Sequence, residues 1–179
     1  WWWPQGCLCH STPIFRWLRI KRETYFVWEE VDDAAAPIDK NNIGTTATGA
    51  SFRSKFMGSN PTRYFPDFTS VMNGILNNSN NKWEAVSLIP RTTNFAVTVR
   101  DNSPNVQQQQ TAFGVQTIVV GDQGPFKLAS QYADVNTPTP IQWLVSNTNA
   151  APYNVSNVKI DYTTDNGTTW TVLAASTPN

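Results

Sequence analysis

Apolar and polar side chains alternate along several short segments of this chain, and a period of two is typical of β-strands. The clearest examples are 94–100 and 158–162. Further strands are predicted at 25–28, 83–88, 115–120, 126–129, 141–145 and 169–173. Apolar residues at helical spacing predict one short helix over 68–76. The pattern therefore predicts an all-β fold.

A turn rich in Asn, Asp and Thr joins the last two predicted strands. Asp165 and Asn166 can bond nearby backbone groups, and Gly167 accepts a positive φ. We expect Asp165 to cap amides of the turn while Trp170 packs beneath it. The sequence of 163–170 resembles the Asp-box hairpin of sialidases, which implies a structural turn more than a sugar site.

Breaks in the pattern divide the chain. The segment 121–125, GDQGP, predicts a linker and places a boundary near residue 122. The unit 23–121 contains Trp28 as a core tryptophan and a long polar loop, whose aromatic residues are expected to pack it: Phe52, Phe56, Tyr64, Phe65 and Phe68. The unit 122–179 is too short for a complete sandwich. Residues 1–22 fit neither period, so they are expected to be out of frame or disordered.

Charge and composition point to few partners. Thirteen basic residues balance thirteen acidic ones, so the chain lacks the positive field of a nucleic-acid binder. The basic cluster Arg16, Arg19, Lys21 and Arg22 beside Trp17 is expected to be a solvated face, with nucleic-acid contact as the weaker interpretation. No apolar run approaches membrane-spanning length, so no membrane insertion is expected. Low charge and abundant Asn, Thr, Ser and Pro favour a secreted or cell-surface protein.

Candidate metal ligands are sparse. Cys7, Cys9 and His10 offer three soft ligands, but a second pair that would complete tetrahedral zinc is missing, so no metal site is expected there.

Carboxylates are more numerous around the first predicted strand. Asp32, Asp33 and Asp101, with Glu29 and Glu30, are expected to be solvated strand-end charges, and a calcium site at one end of the first unit is the weaker interpretation. Glu29 and Glu30 face opposite sides of a strand and cannot act as an acid and base pair. No base stands near a nucleophile in any recognisable pattern, so enzymatic activity is not expected.

The ordered segments TYFVWEEVDD, ASFRS, NPTRYFPDFTSVMNG, KWEAVSLIPRTTNFAVTVRDN, GPFKL and NTNAAPYNVSNVKIDYTTDNGTTWTVLAASTPN cover most of 23–179. Together they resemble the modules that follow the catalytic domain in secreted reprolysin-like zinc metallopeptidases of Bacteroidetes-type bacteria. The resemblance implies tandem immunoglobulin-like or fibronectin type III-like sandwiches, the second truncated. It also implies a fragment without the catalytic domain, since the family's His-Glu-x-x-His zinc helix is missing from this sequence and zinc would belong only to that domain.

The implied function is that of a non-catalytic spacer or substrate-presenting region. Its expected partners are neighbouring domains of the same polypeptide and a protein or glycan substrate. The alternative is an adhesion or carbohydrate-binding module that uses Trp143, Tyr153 or Trp170.

Overall fold

The computed structural model describes residues 7–9 and 23–179, and for 7–9 it gives the backbone alone. Its elements are β1 (Cys7–Cys9), β2 (Tyr25–Glu30), β3 (Arg63–Phe65), α1 (Phe68–Met72), β4 (Arg91–Arg100), a 3-10 turn (Val106–Gln108), β5 (Thr111–Val120), β6 (Lys127–Leu128), β7 (Trp143–Leu144), β8 (Asn157–Tyr162) and β9 (Thr171–Pro178). The expectations for His10 and for the basic cluster lie outside the described residues, as does most of the expectation for 1–22.

The largest sheet has three antiparallel strands in the order β2-β4-β5. β4 pairs with β5 along its whole length, from Arg91 opposite Val120 to Arg100 opposite Thr111. The other sheets, β1-β3, β6-β7 and β8-β9, are two-stranded and also antiparallel. The α-helix described in the chain has five residues, so no described helix is long and apolar enough to cross a bilayer. The all-β prediction is confirmed.

The core lies on one face of the β2-β4-β5 sheet. Trp28, Phe52, Phe65 and Phe95 form its buried cluster. The rings of Phe65 and Phe95 meet edge to face at 4.7 Å between centroids, and those of Phe52 and Phe65 at 5.2 Å. Such edge-to-face pairs add about 0.5–1.5 kcal/mol to the burial of the rings. Trp28 is a core residue as predicted, although β2 is an edge strand of this sheet and β4 is the central one.

The long loop packs onto this core through its own aromatic residues. Phe52 and Phe65 enter the buried cluster, and the rings of Tyr64 and Phe68 pack against each other at 4.7 Å between centroids. Phe56 is fully exposed, so the expectation was wrong for Phe56. The loop also contains β3, which the sequence pattern did not predict.

Two further predictions need correction. Residues 83–88 do not form a strand and make only the isolated bridges Phe52–Glu84 and Asn77–Ala85. The predicted helix over 68–76 ends at Met72, after a start that the Asp67 carboxylate caps by accepting from the Ser70 amide at 3.0 Å.

The strands of the second unit were predicted in order but not in length. The β8-β9 hairpin occurs where alternation predicted it, although β9 begins at Thr171 and continues to Pro178. β6 and β7 are each reduced to two residues. In the first unit, β5 begins at Thr111, four positions before the predicted start.

Candidate functional site

An open cleft of about 380 Å³ lies between the core sheet and the start of the second unit. Its walls are mainly apolar side chains from both units, among them Phe52, Leu76, Val86, Leu88, Phe95, Val119, Phe126 and Tyr153. Polar residues also line it, among them Ser87, Asp122, Gln123 and Thr148. We call four further polar residues of the lining, Glu30, Ser51, Arg91 and Thr93, the polar floor of the cleft.

The centre of the polar floor is Glu30, the last residue of β2. It pairs with Phe95 across the sheet and shares the inner face with Trp28, which directs its side chain into the protein. Its Oε2 atom accepts from the amides of Ser51 at 2.5 Å and Phe52 at 3.0 Å. The residue is only 8% exposed, so the interpretation of Glu30 as a solvated strand-end charge was wrong.

Burial raises the pKa of Glu30, because the charged form loses its hydration. Hydrogen bonds from Thr93 and Ser51 and the charge of Arg91 lower the pKa of Glu30, but by less than burial raises it.

Asp32, two residues further on, behaves differently. Partial burial acts to raise the pKa of Asp32, but hydrogen bonds from Thr93 and Asn94 outweigh it, so that this pKa is lowered. The Asn94 amide and side-chain NH₂ donate to Asp32 at 2.9 and 2.8 Å. Two neighbouring carboxylates thus have pKa values that their surroundings push in opposite directions.

Glu30 and Asp32 share too few hydrogen-bond donors for both carboxylates to be fully hydrogen-bonded when both are ionised. The single Thr93 hydroxyl lies within hydrogen-bond distance of both Glu30 and Asp32. Arg91 Nη2 lies 3.4 Å from each carboxylate and already donates to the Gly49 carbonyl at 2.7 Å. When Glu30 is protonated, both contacts of Thr93 become hydrogen bonds, because Glu30 donates to the Thr93 hydroxyl and that hydroxyl donates to Asp32.

The structure does not bring the calcium candidates together. Asp32 contacts the first residues of β4, Asp33 is exposed, and Asp101 follows the opposite end of the same strand. The Asp101 carboxylate accepts from the amides of Gln110 at 2.9 Å and Ser103 at 3.3 Å, so it closes the β4-β5 connection. Within 23–179, no three His, Cys, Asp or Glu side chains are grouped to hold a metal ion. Asp32 and Asp101 lie at opposite ends of β4, so the weak calcium candidates do not share one site.

A second buried ion pair was missed by the sequence analysis. Glu84 is fully buried and receives Arg63 Nη2 at 3.0 Å, while its other oxygen accepts from the Asp67 amide at 2.9 Å. The Arg63 guanidinium also lies 4.2 Å from the Phe65 ring centroid. These contacts fasten the loop to the core. The available signal was a single charge within the apolar run WEAV, where a buried partner is required.

The β8-β9 turn has a dense set of internal hydrogen bonds. Asp165 accepts from the Thr169 amide at 2.8 Å, the Thr169 hydroxyl at 2.5 Å and the Thr163 hydroxyl at 2.8 Å. These bonds, that of the Thr169 hydroxyl first, lower the pKa of Asp165 to about 2. Gly167 has a φ of +81°, which suits a residue without a side chain.

The same turn rests on the first unit. The Tyr64 hydroxyl donates to the Gly167 carbonyl at 3.1 Å and accepts from the indole N–H of Trp170 at 3.3 Å. The rings of Phe68 and Trp170 meet edge to face, 6.2 Å apart. Trp170 therefore packs against the first unit, with 43% of its surface still exposed.

The other aromatic candidates for sugar binding have internal contacts. The indole N–H of Trp143 donates to the side chain of Asn179 at 2.9 Å. The Tyr153 hydroxyl lies against Gly121 so closely that a Cβ there would be 1.7 Å away. Of the three candidates, Trp170 is the most exposed.

Comparison with protein-family models, with curated proteins and with solved structures found no family, relative or fold neighbour that matches this chain.

Proposed function

We propose that this chain is a non-catalytic, substrate-presenting accessory region of a secreted zinc metallopeptidase, built from tandem immunoglobulin-like or fibronectin type III-like modules. The observation that carries the proposal is the apolar cleft between the two units. Glu30, Asp32 and Arg91 are each engaged by several protein partners, and Asp122, a further charged residue of the lining, accepts from the Gln123 side chain. The cleft therefore offers shape and apolar contact to a ligand.

An unfolded or extended polypeptide is the ligand that suits this cleft. Its volume of about 380 Å³ lies in the range of ordinary ligand pockets and accommodates one or two apolar side chains. Burying one such side chain contributes about 1.5–3 kcal/mol.

The contact between the two units supports a presenting role as well. Tyr64 and Phe68 of the first unit hold the turn of the second unit through Gly167 and Trp170. A fixed arrangement keeps both walls of the cleft at a constant separation. A bound polypeptide would then be held in one orientation relative to neighbouring domains.

The test is binding of unfolded, fluorescently labelled casein fragments to the purified chain, followed by anisotropy. Leu88→Lys places a charge on an exposed cleft wall and should weaken binding about tenfold, because an apolar contact is replaced by a charge that must lose water. Val106→Lys is the matched control, since Val106 is also exposed but lies in the β4-β5 connection and does not line the cleft. It should bind like the unchanged chain.

Equal binding by both variants would overturn the cleft as the binding site. Cleavage of casein that a chelator abolishes would overturn the non-catalytic role. Glycan-array binding that Trp170→Ala removes, without peptide binding, would replace the proposal with the adhesion or carbohydrate-binding alternative.

A further inference from the structure

β5 presents one free edge in the part of the chain that the structure describes. The Asp101 amide donates to the Gln110 carbonyl at 3.2 Å, so the pair just before Arg100–Thr111 is a hydrogen-bonded pair. Hydrogen-bonded and non-hydrogen-bonded pairs alternate along an antiparallel ladder. The even-numbered residues of β5 therefore bond to β4, and the odd-numbered residues direct their N–H and C=O groups outward.

The other side of β4 agrees with this alternation. The Val31 amide donates to the Asn94 carbonyl at 2.9 Å, so even-numbered residues of β4 bond towards β2 and odd-numbered ones towards β5. In β5, the residues with outward backbone groups are Thr111, Phe113, Val115, Thr117 and Val119. Apart from a bond that the Gln116 side chain donates to the Thr117 carbonyl, no described group bonds to this edge.

The same odd-numbered residues carry exposed side chains. Phe113, Val115 and Val119 are 63%, 55% and 73% exposed, and all lie on the face of the sheet opposite the core. β5 contains no charged residue and no proline along its ten residues. Natural edge strands are usually protected by charge, proline, a bulge or short length, and β5 has none of these features.

We propose that the free edge of β5 is a self-association site that pairs with β5 of a second copy of this chain. An extended strand fits this edge because its own groups repeat at the same two-residue spacing. The second copy is the favoured strand because β5 has no charge, so two copies meet without like-charge repulsion.

The register follows from pairing the whole edge. When Val115 faces Val115 on a two-fold axis, Phe113 faces Thr117 and Thr111 faces Val119, so every outward residue of the strand has a partner. Other antiparallel registers leave at least one outward residue beyond the end of the partner strand. The two three-stranded sheets then join into one continuous sheet. This interface does not include the polar floor, although Val119 belongs both to the edge of β5 and to a wall of the cleft.

Sedimentation velocity of the full chain over a concentration series tests the proposal. The unchanged chain should form dimers. Val115→Lys places two positive charges opposite each other on the axis and should move the dimerisation midpoint about tenfold or more to higher concentration. Val135→Lys is the control, since Val135 is 94% exposed and lies outside the strands, and it should dimerise normally. Circular dichroism establishes that both variants are folded.

A cross-linking experiment tests the register independently. Val115→Cys should give a disulfide-linked dimer under mild oxidation, because hydrogen-bonded antiparallel partners have Cα atoms about 5.5 Å apart, within disulfide range. Val119→Cys is the matched control, since its two thiols would be roughly 27 Å apart along the strand. A monomeric unchanged chain, unaltered dimerisation of Val115→Lys, or equal cross-linking at both positions would overturn the proposal.

Discussion

At the scale of single residues, the protonation of Glu30 depends on the small number of hydrogen-bond donors that it shares with Asp32. Glu30 and Asp32 share the Thr93 hydroxyl and one nitrogen of Arg91. The pKa of Glu30 is raised by burial, and that of Asp32 is lowered by hydrogen bonds that outweigh its burial. The folded protein therefore binds a proton at Glu30 more tightly than the unfolded chain does.

The first prediction concerns the pH dependence of stability. Because the folded pKa of Glu30 lies above its ordinary value of 4.5, its contribution is complete below that value and is lost as the pH rises through the folded pKa. Glu30→Gln keeps an acceptor for the Ser51 and Phe52 amides and a donor for Thr93, so it should remove this loss. Urea unfolding of both proteins at a series of pH values measures the difference.

Asp32→Asn is the control with the opposite sign. Asp32 has a lowered pKa, so its contribution is present above 3.8 and is lost as the pH falls through the folded pKa. Glu30→Ala leaves the buried amides of Ser51 and Phe52 without their acceptor and should destabilise by about 1–3 kcal/mol for each amide. The prediction fails if Glu30→Gln loses stability above pH 4.5 as steeply as the unchanged chain.

At the scale of elements, local patterns predicted what local geometry controls. The hairpin β8-β9 and the central strand β4 follow from alternation and turn residues within a few positions of each other. β3 and the bridges around Glu84 depend on the distant pairing of Arg63 with Glu84, which leaves no periodic signal. The cleft was not predicted for the same reason, since its walls come from widely separated segments.

The second prediction tests the β8-β9 turn. Gly167 has a φ of +81°, and a Cβ there would lie 2.8 Å from the Phe68 ring and 3.0 Å from the Tyr64 hydroxyl. Gly167→Ala should lower the free energy of unfolding by about 1–2 kcal/mol from backbone strain alone. The steric conflict with Phe68 adds to this.

Gly58→Ala provides the comparison for Gly167→Ala. A Cβ at Gly58 meets no atom within 4 Å and no left-handed φ is involved, and its backbone bonds to Phe26 remain possible. It should leave the urea midpoint almost unchanged. Equal effects of the two alanine substitutions would show that the turn neither requires its left-handed glycine nor rests tightly on the first unit.

At the scale of the whole molecule, the described contacts join the units at the β8-β9 turn and at the linker. Tyr64 and Phe68 hold the turn, and Tyr153 lies against Gly121 at the start of the linker. Cleft residues come from both sides of the linker, with Leu88 on one and Phe126 on the other. The shape of the cleft therefore depends on how the units pack. A substitution at the distant turn should change that shape.

The third prediction tests this coupling with Trp170→Ala. The substitution removes the edge-to-face contact with Phe68 and the hydrogen bond to Tyr64, each worth about 0.5–1.5 kcal/mol. We expect the unfolding transition of the variant to be broader than that of the unchanged chain or to split, the 121–125 linker to become more sensitive to protease, and casein binding at the cleft to weaken. Phe56→Ala removes an aromatic ring that is fully exposed, so it should change none of these three measurements.

The prediction is wrong if Trp170→Ala destabilises the chain while linker cleavage and cleft binding stay unchanged. In that case the turn would stabilise its own hairpin without fixing the units relative to each other, and the proposal of a rigid presenting cleft would lose its support.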